Sequence, residues 1–219
     1  MITYDLVKNN EAVRIYIKKA DEALGALGYT EHSFAHVTKV ADTSEYILTT
    51  LGYSESECEI ARIASFLHDI GNLINRIDHA QSGAIMAFRI LDHLNATPDE
   101  IAVIIGAIGN HDEATAVAIS PAAAALILAD KTDVRVSRVR NKDVSTFDIH
   151  DRVNYSVKQS ELKISEDKKT IELKLLIDTA VSSVMDYFEI FIGRMILCRK
   201  AAEKLGMKFK LDINGQQLL

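Results

Sequence analysis

Apolar residues recur at helical spacing along most of this chain and then switch to strict alternation. Between Glu11 and Leu27 they fall at Ala12, Ile15, Tyr16, Ala20, Ala23, Leu24 and Leu27, the 3.6-residue rhythm of one buried face, with Gly28 as the stop. His36 to Leu51 repeats that rhythm through Val37, Val40, Ala41, Tyr46, Ile47 and Leu51, ending at Gly52. Ser54 followed by Glu57 reads as a capping box. It opens a third helix through Ile60, Ile63, Ala64 and Leu67 that carries His68-Asp69 in its last turn, with Gly71 ending it. Further helices are predicted over 79–94, 98–110 and 121–131, the last two with proline in the first turn. No strand pattern precedes residue 157.

Val157 to Ile164 and Thr170 to Ile177 alternate apolar with polar residues around a charged loop, which predicts a β-hairpin. A helix capped by Asp178 or Thr179 then runs to Leu205, with Val181, Val184, Met185, Phe188, Ile192 and Met195 on one face, and Phe209, Leu211 and Ile213 alternate as a third strand. The fold class is therefore mainly α, with a helical domain over 1–156 and a small C-terminal α+β (ββαβ) appendage over 157–219, its sheet covered by one helix. As a lid, a specificity element, a homodimer surface or extra packing, the appendage has several roles open to it. None of its residues points to catalysis.

Composition narrows the class. Of 219 residues, 48% are hydrophobic and 26% charged, with two prolines, as in an ordered globular protein. A net charge of −6 argues against general nucleic-acid binding, although Lys131, Arg135, Arg138, Arg140 and Lys142 face only Asp133 between residues 131 and 142. Cys58 and Cys198 have no CxxC spacing and read as small buried hydrophobes in a reducing compartment. The N-terminus lacks the basic and apolar segments of a signal peptide, and no apolar run reaches the 18 or so residues of a membrane span. The expectation is a cytoplasmic protein without a membrane partner.

The candidate chemistry lies in an ordered series: His36, His68-Asp69, His79, His111-Asp112 and Asp130. Neutral imidazoles and ionised carboxylates suit borderline to hard divalent ions, and such a mixed shell leaves positions open for water or substrate. With two ions about 3.5–4 Å apart, the attacking hydroxide and a phosphoryl oxygen are both held, and Asp69 has one carboxylate oxygen to offer to each.

His36 in HVTKVA, His68-Asp69 in FLHDIGN, His79 in DHAQSGA, His111 in GNHDE and Asp130 in LADK resemble the pattern of the HD-domain superfamily of metal-dependent phosphohydrolases over roughly residues 30–140. The resemblance implies an all-helical core and a metal held by His36, His68, Asp69 and Asp130. In its two-metal members, among them the HD-GYP phosphodiesterases and a diadenosine tetraphosphate hydrolase branch, histidines matching His79 and His111 hold a second ion. HD-GYP members have paired histidines where this chain has His111-Asp112, and the GYP signature is absent, which weighs against cyclic di-GMP as substrate. The lysine common after the motif glycine is here Asn72.

The resulting expectation is a phosphohydrolase that cleaves a phosphoester or phosphoanhydride bond in a nucleotide or other small phosphorylated metabolite through a metal-bound hydroxide. One or two divalent ions serve it, with Mn, Fe, Co, Ni, Zn and Mg not distinguished. Asp69 bridges or anchors the metals, Asp112 or His79 protonates the leaving oxygen, and Lys131 stabilises the phosphoryl charge. His32, Arg76, Arg135 and Arg138 are further candidates for phosphate contact. His93 and His150 are set aside as ordinary core or surface histidines. The alternative is a regulatory module that keeps the metal and senses a phosphorylated ligand without turnover.

Overall fold

A computed structural model describes residues 1–219. Helices α1 (Tyr4–Lys8), α2 (Glu11–Ala26), α3 (Phe34–Leu51), α4 (Glu55–Leu67), α5 (His79–His93), α6 (Pro98–Gly109), α7 (Pro121–Lys131) and α8 (Ile149–Ser156) come first, with short 3-10 turns at Ile70–Leu73, Val136–Arg138 and Val144–Thr146. Strands β1 (Val157–Ile164) and β2 (Thr170–Ile177), helix α9 (Val184–Lys204), and strands β3 (Lys208–Ile213) and β4 (Gln216–Gln217) complete the chain. This is a mainly α protein with a small α+β element at its C-terminal end. No helix is long and apolar enough to cross a membrane.

The axis of the molecule is α7. Every residue from Ala122 to Lys131 is buried, as a helix apolar on all sides must be. Its alanines let α3, α4 and α6 pack against it, and α9 packs there as well. A single hydrophobic cluster accordingly runs from Ile2 through these helices to Leu211 and Ile213 of the sheet. Asp130 and Lys131 are thus held at the end of the most deeply packed element of the fold.

Several boundaries and faces differ from the sequence expectation. Leu67 is the last residue of α4, with His68 as its C-cap and Asp69 leading into the 3-10 turn, so the pair lies at the helix end and not within the last turn. The buried stripe of α2 is Val13, Ile17, Ala20 and Leu24, while Ile15 and Leu27 are exposed. Helix α9 starts four or five residues later than expected, because Ser183 and Asp186 form a reciprocal capping box and Asp178 to Ser182 close a turn instead. Its buried face is Tyr187, Phe191, Met195, Cys198 and Ala202, whereas Met185 and Ile192 from the expected face are 74% and 48% exposed. On an isolated helix two adjacent apolar stripes look alike. Which one is buried depends on where α7 lies.

The sheet has four strands, not three, in the order β1-β2-β3-β4. β1 and β2 form the expected antiparallel hairpin, and β3 returns parallel to β2 after the α9 crossover. Asn214 and Gly215, both at positive φ (55° and 82°), then turn the chain back into β4, the conformation an Asn-Gly hairpin turn requires.

One glycine couples this packing to the candidate site. A Cβ on Gly71 would lie 2.0 Å from the His79 carbonyl oxygen and 2.5 Å from the Gly83 nitrogen, both backbone atoms. The turn after Asp69 can therefore seat against the start of α5 only without a side chain. Gly71→Ala is expected to lower stability by about 1–3 kcal/mol or more, as overpacking does, a fall in Tm of several degrees by calorimetry; an unchanged Tm would refute this role.

Candidate metal centre

The ends of five helices meet at one point. His36 lies in the first turn of α3, His68-Asp69 follows α4, His79 opens α5, His111 follows α6, and Asp130 closes α7. All six are buried. Four imidazoles are oriented by the same device. His68, His79 and His111 each donate from Nδ1 to the carbonyl oxygen three residues earlier, Ser65 at 2.7 Å, Arg76 at 3.0 Å and Ile108 at 2.6 Å. His36 Nδ1 donates to Asp133 Oδ2 at 2.8 Å. Carbonyls and carboxylates only accept, so each Nδ1 carries the proton and each Nε2 is left with its lone pair.

Those lone pairs converge on Asp69. Its Oδ2 is 3.2 Å from His68 Nε2 and 3.6 Å from His36 Nε2, while its Oδ1 is 3.5 Å from His79 Nε2 and 4.0 Å from His111 Nε2. Asp130 Oδ1 joins the first group, 3.4 Å from His36 Nε2 and 3.8 Å from His68 Nε2. Ligands about 2.0–2.2 Å from one ion stand ~3.0–3.4 Å from each other in octahedral or tetrahedral shells, close to these spacings. The His36 and His68 Nε2 atoms are buried with no hydrogen-bond partner. The His79 and His111 Nε2 atoms, 3.3 Å apart, present two lone pairs to each other. Both arrangements are what a divalent cation relieves, and the donor set fits one.

Electrostatics favour the ligating forms of His79, His111, Asp69 and Asp130. Burial, reinforced by His68 and Lys131, holds His111 well below the usual imidazole range. Burial likewise lowers His79, with Asp69 opposing. On His68 burial is outweighed by Asp69 and Asp130, which raise its proton affinity. Burial also opposes ionisation of Asp69 and Asp130, but neighbouring His68 for the first and Lys131 for the second keep both well below the carboxylate range. Asn72 donates from Nδ2 to Asp69 Oδ1 at 2.9 Å and fixes the carboxylate plane.

A cleft of about 240 Å³ opens over this floor. Asp69, His79, His111, Asp130, Lys131, His32, Arg76 and Arg138 all line it. Lys131 Nζ is 2.7 Å from Asp130 Oδ2, and Arg76 Nη1 is 3.3 Å from both Asn72 Oδ1 and His79 Nε2. Asp112 and Arg135 are not among the lining residues. The basic run is mostly engaged internally: Arg135 pairs with Glu31 and Asp133, Arg138 donates to the carbonyls of Glu31 and Asp133, and Arg140 pairs with Asp21. It straps residues 133–140 to the segment between α2 and α3.

Sequence reasoning missed three contributions. Asp133 orients His36 and is itself held by Lys39 Nζ at 2.8 Å; three residues after Asp130, it had no periodic signal because α7 ends between them. Asp148, His150, Asp151 and Asn154 form a wall from the loop before α8 and from α8 itself, so His150, set aside as an ordinary histidine, faces the cleft. Phe191 and Arg194 of α9 supply another wall, although no residue of the C-terminal element was singled out for the site from the sequence. A larger groove of about 660 Å³ between α3 and β1 contains no imidazole, and Asp133, its one buried carboxylate, is already paired.

Residues 33–135 match the HD domain family. Over 197 residues the chain is 26% identical to the uncharacterized protein MJ1020 of Methanocaldococcus jannaschii, covering 80% of this chain and 75% of that one. It also resembles a crystal structure of a predicted HD superfamily hydrolase from an uncultured Thermotogales bacterium, at 22% identity and a TM-score of 0.44 over 62% of this chain and 75% of the other. The matched segment begins at the cap of α3 and ends just past Asp133, so the part of the chain that is similar to the HD domain takes in every helix end that meets at Asp69.

Proposed function

We propose that this protein is a metal-dependent phosphohydrolase acting on a phosphoester or phosphoanhydride bond of a nucleotide or other small phosphorylated metabolite. The observation that carries the reading is Asp69, whose two oxygens face separate histidine pairs. His36, His68 and Asp130 with Asp69 Oδ2 would hold one divalent ion, and His79 and His111 with Asp69 Oδ1 a second. Such an ion supplies Lewis acidity and brings the pKa of a bound water toward neutrality.

The chain's own groups complete the chemistry. Lys131, beside Asp130 and open to the cleft, takes charge that develops on phosphoryl oxygens. Arg76 and Arg138 extend the positive rim. His150 is exposed on the cleft wall with no side-chain partner and replaces Asp112, which does not line the cleft, as the group placed to protonate a leaving oxygen. Residues 1–156 form the catalytic body in this reading, and 157–219 an appendage that closes one side of the cleft through α9.

Product release from nucleoside monophosphates, cyclic dinucleotides, dinucleoside polyphosphates and a generic phosphodiester, with Mn, Fe, Co, Ni, Zn or Mg supplied in turn, tests the activity. Turnover of one class is expected to require an added metal. Folded, metal-loaded protein inert toward the whole panel would instead favour a sensor. Asp69→Ala is expected to abolish that turnover while the far-UV spectrum stays native; activity retained at normal metal content would sink the assignment.

Asp133→Asn keeps an acceptor for His36 but removes the charge. Loss of such an outer partner typically costs about 10–100-fold in metal affinity or activity, and a chelator competition should show a weakening of that size. Equal affinity in the two proteins would mean that Asp133 only anchors Lys39 and the neighbouring arginines.

A further inference from the structure

Arg194 comes from α9, outside the segment that matches the HD domain, yet it lines the cleft with Lys131 and Asp130. Two contacts hold it in place. Its guanidinium stacks over the ring of buried Phe191, 4.3 Å from the centroid, which sets the plane of the fork. Its Nε pairs with Glu113 on the loop after His111. Glu113 Oε1 also stands 4.0 Å from Lys131 Nζ, so one carboxylate spaces the two cations apart. Neither Nη1 nor Nη2 has a carboxylate partner.

An arginine seated on an aromatic ring, ion-paired through Nε, with no carboxylate on its two terminal nitrogens and lining a cleft floored by imidazoles and carboxylates, is prepared for a bidentate anion. Building on the phosphohydrolase reading, we infer that Arg194 is a substrate-binding residue that donates from Nη1 and Nη2 to two non-bridging oxygens of one phosphoryl group, with Lys131 on the same group. The C-terminal element thereby completes the active site. A planar fork matches two oxygens on one phosphorus, whereas a lysine at this position supplies only a point charge. The recognised chemistry is a phosphoryl group, terminal in a monoester or internal in a diester.

The test uses the full-length, metal-loaded protein with inorganic phosphate as probe, titrated calorimetrically, and metal content measured on each sample. Arg194→Ala is expected to keep the wild-type metal content and to bind phosphate at least tenfold more weakly. Arg194→Lys, which preserves the stem and the charge, should fall between the two. The same variants assayed on a phosphomonoester and a phosphodiester identify the source, since the one whose KM rises is the one Arg194 holds. Wild-type phosphate affinity in Arg194→Ala at full metal content would overturn the inference while leaving the phosphohydrolase reading intact, and so would Arg194→Lys indistinguishable from wild type. Wild-type protein that takes up metal but binds no phosphate would overturn both, a failure visible before any variant is made. If Arg194→Ala loses its fold, Arg194→Lys alone decides the matter by the same titration.

Discussion

An ionised carboxylate removed from water must be compensated by charge or by hydrogen bonds, at a cost of several kcal/mol if it is not. Three such groups, Asp69, Asp130 and Asp133, are buried side by side here, and they are compensated unequally. Asp133 is surrounded by His36, Lys39, Arg135 and Arg138. Asp130 has Lys131. Asp69 has the amide of Asn72 and no lysine or arginine, only the Nε2 atoms of four imidazoles around its two oxygens. The uncompensated potential of the interior is concentrated at that residue, and a cation is the species that removes it.

Helix geometry makes the concentration sustainable. A side chain at a helix end projects beyond the packed body yet inherits its rigidity, and five helices end at this site. They are brought together because α3, α4 and α6 pack on α7, while α5 packs on α6 and on the turn after Asp69. The repeated bond from Nδ1 to the carbonyl three residues back needs only the local turn of chain, so His68, His79 and His111 are oriented before any tertiary contact is made. His36 differs, since its partner Asp133 arrives from the far end of α7. The basic segment after Asp133 is part of the same construction, with its arginines holding that loop down on the α2–α3 connection.

Around this floor the walls come from elements of different origin. α8 and the loop before it contribute acidic and amide groups, and α9 contributes a stacked arginine. Both lie outside the segment that matches the HD domain. In the phosphohydrolase reading the floor would set the kind of chemistry and the walls would select what is admitted.

Periodicity alone established the mainly helical body, the hairpin at residue 157 and the limits of most helices, since these follow from local backbone preference and amphipathic spacing. The residues that meet at Asp69 were equally legible as a group: His36, His68, His79, His111 and Asp130 are histidines and an aspartate set at helix ends. What the chain could not express by itself was the choice between neighbouring apolar stripes on α2 and α9, because burial is a property of the partner surface. Asp133, Arg194 and the α8 wall were hidden for the same reason. Each is an ordinary charged or polar residue in its own segment; only tertiary packing sets Asp133 behind His36 and brings the α8 residues and Arg194 to the cleft.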